Sequence, residues 1–188
     1  EVYVDSPTAA DAPEISRRFP RDLNFDWTKT PTRLATSQCR FVKTTEDSKR
    51  LHNVAGRAII ISASGMATGG RILHHLRRRL PDERNTVLFA GYQVEGTRGR
   101  KLVDGARSIK MLGEEVEVRA RVEDLRAFSA HGDRDDLLRW VGSLEGTPRR
   151  TFVVHGEPVA AGALRDRLDE DLGHDATVAE LDSVVLRT

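Results

Sequence analysis

An α/β fold with a mainly parallel sheet flanked by helices is what this chain of 188 residues predicts. Three observations carry the expectation. Short β-branched runs alternate with segments of helical period. The run AIIISAS at 58–64 is apolar at successive positions, as in a strand buried on both faces. Finally, two such runs each pass directly into a glycine-rich turn and a helix-forming segment.

Taken in order, VYV at 2–4 is a strand and residues 9–19 are a helix. Residues 20–38 are polar without a clear period and read as a long loop. CRFVK is a second strand, and TTEDSKRLH follows with a Thr-x-x-Asp start, so Thr44 or Thr45 opens a helix. The run 58–64 is the central strand; GMATGG then leads into RILHHLRRRL, where Ile72, Leu73, Leu76 and Leu80 recur at helical spacing. TVLFAGY repeats the strand, VEGTRGR the turn, and residues 99–104 form a short helix. SIKML and VEVRARV are antiparallel strands joined near Gly113. In the last third, residues 133–144 form a helix with apolar Leu137, Leu138, Trp140, Val141 and Leu144, and TFVVHG is a buried strand. Residues 158–172 are a helix with proline at the first position, where its fixed φ and missing N–H cost nothing. ATVAEL and SVVLR close the chain as strands.

Composition limits the function classes. Hydrophobic residues at 38% and charged residues at 31% describe a folded, water-exposed chain rather than a disordered one. Thirty Lys plus Arg against 29 Asp plus Glu leave no overall field to recruit nucleic acid or an anionic membrane, so any polyanion site must be local. Cys39 is the only cysteine, which excludes an internal disulfide and a cysteine-rich zinc site and suits a reducing cytoplasm. No apolar run approaches the roughly 20 residues that span a bilayer, so no membrane partner is expected. The opening EVYVDSP enters a strand at once and reads like a piece of something longer.

SASGMATGG, at the carboxyl end of a strand, presents backbone N–H groups and a positive dipole end, which suit a phosphate. It contains neither the Lys-Ser/Thr of a P-loop nor G-x-G-x-x-G, and the alternative is a tight turn that needs small residues for packing. GYQVEGTRGRK is a second such turn, with Glu95, Thr97, Arg98, Arg100 and Lys101. If the sheet places both turns on one edge, a phosphate-rich substrate lies across them; otherwise this is a solvated basic loop. Arg77, Arg78 and Arg79 are consecutive and cannot share a helix face. His74 and His75 are adjacent, whereas two ligands on one helical face stand three or four residues apart; with His52 and His174 they are read as structural. His131 and His155 differ. Each lies at a loop or strand end, is followed by glycine, and has an acid two residues on, Asp133 and Glu157.

The ordered motifs VDSP, SASGMATGGR, GYQVEGTRGR, FSAHGD and VVHGEP resemble the second half of a β-CASP metallo-β-lactamase ribonuclease, over nearly the whole chain. The resemblance implies that 1–127 is most of a β-CASP domain with its beginning truncated. It also implies that 128–188 is the carboxyl-terminal, RNA-metabolising segment of a metallo-β-lactamase fold whose amino-terminal part is missing. The implied reaction is hydrolysis of RNA phosphodiesters with two zinc ions, His155 being a metal ligand and His131 the proton donor to the leaving ribose oxygen or a hydrogen-bonding group on the scissile phosphate. Substrate contacts would come from Ser64, Gly65, Met66, Thr68, Gly69, Gly70 and Ser129. The family's H-x-H-x-D-H motif, its later metal ligands and its acidic partner of the His131 motif are not in this sequence. One histidine is not the three or four donors that hold zinc, so the chain alone is expected neither to retain the metal nor to cleave. RNA, the missing metallo-β-lactamase region and a second copy in a homodimer are the expected partners. A non-catalytic RNA-binding or dimerisation module is the alternative. The glycine-rich turns also permit a small-molecule nucleotide-binding domain.

Overall fold

The computed structural model describes residues 1–19, 21, 39–54, 56–125 and 131–181, and within them the α/β class holds, with strands paired mostly in parallel. Two units make up the chain, Glu1–Phe128 and Ser129–Thr188.

In the first unit, β1 (Val2–Asp5) lies between β2 (Cys39–Phe41) and β3 (Ile59–Ser62), both parallel to it. Helix α1 (Pro7–Arg18) starts two residues before the expected position because Ser6 accepts the Ala9 amide and Pro7 supplies the first helical φ. Helix α2 (Thr45–Arg50) is capped by Thr44, whose hydroxyl accepts the Asp47 amide at 3.1 Å. After α3 (Ile72–Arg79), strand β4 (Thr86–Phe89) pairs in parallel with β7 (Arg121–Asp124). Between them come α4 (Arg98–Val103) and the antiparallel pair β5 (Ser108–Met111) and β6 (Glu114–Glu117), which turns through Gly113 at φ +83°. Leu73, Leu76 and Leu80 of the α3 region meet Phe89, Leu102 and Met111 in the main core. Tyr3, Val42 and Leu51 form a smaller one.

Two expectations need correction. The apolar run at 58–64 is not the central strand: among the described strands β3 pairs only with β1, and Ile59 and Ile61 are exposed. An unbroken apolar run reports hydrophobicity on both faces but not the number of strand neighbours. VEVRARV, in turn, is not one strand. The hairpin pairing continues one step past β6, the Val118 amide donating to the Arg107 carbonyl at 2.8 Å, and the amides of Arg119 and Ala120 then both dock on the Leu80 carbonyl, each at 2.8 Å. That anchor at the end of α3 redirects the chain, so Arg121–Asp124 pairs with β4 instead. The expected loop at 20–38, Pro20 and 22–38 of it, and the expected strand SVVLR lie outside the described residues.

In the second unit, α5 (Arg134–Gly142) opens with a reciprocal cap in which Asp133 accepts the Asp136 amide at 2.8 Å and Asp136 accepts the Asp133 amide at 3.2 Å. Strand β8 (Thr151–Val153) pairs in parallel with β9 (Ala176–Val178). Helix α6 (Pro158–Leu172) joins them and ends at Gly173 in the left-handed region. Val153, Ala161, Leu168 and Ala176 form this unit's core, with Leu138 and Val141 of α5 packed against it. No helix among the described residues is long and apolar enough to cross a membrane.

Candidate functional site

β1 ends on Asp5, whose side chain is fully buried. Ser48 Oγ and His75 Nε2 each donate to its Oδ2 at 2.6 Å, and Arg71 Nη1 donates to Oδ1 at 2.7 Å. Burial pushes the carboxyl up, but the hydrogen bonds from Ser48, His75 and Arg71 outweigh it and hold the group below the usual carboxylate range. Arg71 also donates to the carbonyls of Val42 and Lys43, at 3.1 and 2.9 Å, so one guanidinium ties the ends of β1 and β2 to the first turn of α3. The His52 ring packs edge-on against His75 with centroids 5.5 Å apart. Burial, then the nearby positive charge of His75 and Arg78, holds the His52 imidazole below its ordinary value. His75 is thus a packing histidine, as expected, although its acidic partner lies 70 positions away.

From this clamp the chain forms the turn between β3 and α3. Ser64 Oγ and Thr68 Oγ1 are 2.9 Å apart and hydrogen-bonded, and Ser64 Oγ accepts the Thr68 amide at 3.2 Å. Gly70 sits at φ +78°, and a Cβ there would stand 3.0 Å from the Ala63 carbonyl oxygen, so glycine is required for both conformation and space. The amides of Gly65, Met66, Gly69 and Gly70 have no acceptor among the described residues. They are donors of the kind that bind anions at a strand-to-helix turn.

The second glycine-rich turn touches the first. Gln93, only 5% exposed, donates from Nε2 to the Gly91 and Gly65 carbonyls at 2.8 and 3.0 Å. The Gly99 amide donates to the Met66 carbonyl at 3.0 Å. Arg98 Nη1 donates to the Thr68 and Ala67 carbonyls at 3.2 and 3.4 Å, and its Nε to Lys110 at 2.8 Å. Gly99 has no room for a side chain, since a Cβ would fall 1.8 Å from Gln93 Oε1. The condition set by the sequence is not met as stated, because among the described strands β3 and β4 belong to different sheets; hydrogen bonds between the turns, not a shared sheet edge, bring them together in the first unit. The arginine triplet is not part of it. Arg77 pairs with Glu114, and Arg78 and Arg79 donate to the carbonyls of His52 and Leu51.

His131 and His155 are both exposed, and both belong to the second unit. Each stands two residues before a helix N-cap, His131 before Asp133 of α5 and His155 before Glu157 of α6. His155 holds the left-handed conformation at φ +72°, with Gly156 at φ +102° behind it. Ser129 lies outside the described residues. His174 is buried and hydrogen-bonded through Nδ1 to Thr151 Oγ1 at 2.9 Å, a structural role as expected. Among the described residues no three His, Cys, Asp or Glu side chains gather in a way that could hold a metal. The donors present therefore do not amount to a zinc site by themselves.

A family profile described as Beta-Casp domain matches residues 1–102, more than half of the chain. The chain belongs to the β-CASP family. A second profile, described as Zn-dependent metallo-hydrolase RNA specificity domain, matches residues 115–179 of this β-CASP chain. Ribonuclease TTHA0252 of Thermus thermophilus is 38% identical over 160 residues, covering 83% of this chain and 36% of that protein. Transcription termination factor FttA of Pyrococcus abyssi is 42% identical over 106 residues, covering 54% of this chain and 16% of that factor. An RNase J-like protein of Methanocaldococcus jannaschii is 40% identical over 99 residues, 53% of this chain and 23% of its own length. The β-CASP chain thus spans about a third or less of each of these relatives.

Proposed function

We propose that this chain is the RNA-handling part of a zinc-dependent ribonuclease and that it does not cleave RNA alone. The observation that carries the reading is the joined pair of glycine-rich turns, with four amides that have no acceptor among the described residues beside the Ser64 and Thr68 hydroxyls. RNA as the substrate is supported by the RNA specificity profile and by a relative named a ribonuclease. In this reading, 1–127 is a truncated β-CASP domain and 128–188 the carboxyl-terminal segment of a metallo-β-lactamase fold, a division supported by the two units and the two profiles.

Ser64, Gly65, Met66, Thr68, Gly69 and Gly70 hold a backbone phosphate through amide and hydroxyl donors. Zinc, held mainly by donors outside these residues with His155 as one ligand, would supply positive charge to the phosphoryl oxygens. His131 gives a proton to the leaving ribose oxygen, a task suited to imidazole, and Ser129 lines the substrate path beside it. The single cysteine supports a cytoplasmic setting, and the family resemblance supports a homodimer.

The test combines this chain with a metallo-β-lactamase domain carrying H-x-H-x-D-H and follows zinc content and cleavage of a labelled RNA. His131→Ala is expected to abolish cleavage with zinc retained, and His155→Ala to lower both. Ser64→Ala, or a bulky residue at Gly65, weakens RNA binding and leaves zinc unchanged. Undiminished cleavage by both histidine variants would refute the roles given to them. RNA binding without any cleavage would leave a binding module instead.

A further inference from the structure

The first turn has a neighbour that its own donors do not account for. Thr68 also borders a pocket of about 580 Å³, walled by Thr97, Arg98, Lys101, Lys110 and Glu115 among others. Its charge is one-sided. Lys101 and Lys110 are exposed and form no ion pair among the described residues. The Arg98 guanidinium donates to the carbonyls of Ala67, Thr68 and Lys110, which fix it in place without neutralising it. Glu115, the one carboxylate in the wall, accepts a hydrogen bond from Ser108. Three cations thus face one anion in a protein whose overall formal charge is only +1.

The wall contains no aromatic side chain, so it offers charge and hydroxyls but no platform for stacking a base. Lysine acts as a point charge that meets a phosphate from many directions, which suits a flexible single strand better than a planar bidentate partner would. Arg98 is the shared post: bonded to the Thr68 carbonyl, it fixes the pocket relative to the turn. We propose that this pocket is a second subsite for the RNA backbone. Lys101 and Lys110 there take a phosphate next along the strand from the one held at Ser64–Gly70, without regard to sequence. The inference rests on the RNA reading above and adds to it the place where the strand continues.

The test measures binding of a fluorescein-labelled twelve-nucleotide single-stranded RNA to the full 188-residue chain by anisotropy, across a range of salt. Lys101→Gln combined with Lys110→Gln alters two exposed side chains, and circular dichroism checks the fold. The expected result is roughly tenfold weaker binding at low salt, with the slope of log affinity against log salt reduced by about 1.4, for oligouridylate and mixed sequences alike. A charge-matched control, Lys49→Gln with Arg57→Gln, leaves affinity nearly unchanged; an equal loss in the control would overturn the pocket. So would an unchanged slope in the lysine double variant. If Ser64→Ala weakens binding while the lysine variant does not, the pocket fails and the phosphate turn stands. If the unaltered chain does not bind the RNA, the underlying reading fails.

Discussion

The carboxyl end of β1 and the loop before α6 each carry a polar side chain at the end of a parallel strand, yet they are built in opposite ways. Asp5 is fully buried and meets donors from Ser48, Arg71 and His75, so its charge is satisfied within the chain. His155 is exposed, sits on left-handed backbone, and makes no hydrogen bond to any described residue. The difference separates two uses of a polar group. Where the chain answers every bond of a charged side chain, that side chain holds the fold together. Where a side chain stands out on left-handed backbone and bonds to none of the described residues, the fold as described does not depend on it.

The largest test of this contrast is Asp5→Asn. It leaves Arg71 and His75 facing a neutral group, and breaking a buried pair in this way costs about 3–5 kcal/mol, read from denaturant unfolding of the chain. A loss under about 1 kcal/mol would break the comparison, since that is the worth of a surface pair. The same carboxyl gives a pH signature. Its folded pKa is lowered, so its contribution is complete above the unfolded value of about 3.9 and is lost as pH falls through the folded one. Acid unfolding of the Asp5→Asn variant should lack that part of the slope.

Next in size is Gly99→Ala, which drives a methyl into Gln93 Oε1. Overpacking of this kind costs about 1–3 kcal/mol. Gln93→Ala in the same chain should return part of it, because contacting residues are not additive. Full additivity in the double variant would mean that the two turns are not locked by this contact. On the other side of the comparison, His155→Gly removes both the imidazole and the backbone strain. Stability should rise by about 1 kcal/mol in thermal unfolding, the scale of a left-handed non-glycine residue. A drop instead would show that the ring is a structural member after all.

The smallest expected effect belongs to His52. Its folded pKa lies below the ordinary histidine value, chiefly through burial, so the folded state binds fewer protons than the unfolded one below about pH 6.5. Stability should therefore decline gently as pH falls from there toward the folded pKa, and His52→Gln should flatten that decline in pH-dependent melts.

What could be read in advance was what is local. Thr44 and Asp133 cap helices through residues three positions on, and α6 runs from Pro158 to Leu172 as the sequence indicated, because proline and glycine mark its ends. The apolar run of β3 was visible, but its place at the edge of the described strands was not, since hydrophobicity does not encode pairing. VEVRARV divides because a carbonyl at Leu80, nearly forty positions earlier, captures two of its amides. Of the site, the two turns were legible, whereas their junction was not. Gln93 is uncharged and its link to Gly65 spans 28 positions, a distance at which no local pattern speaks. Asp5 was missed for the same reason, with partners 43, 66 and 70 positions away.

The bond from the Gly99 amide to the Met66 carbonyl has a consequence for measurement. That proton can be traded for deuterium only when the two loops part, so its exchange rate is a direct gauge of how often they do. An RNA that bridges the pair should slow it, and the degree of slowing would report the free energy with which the bound strand holds them shut.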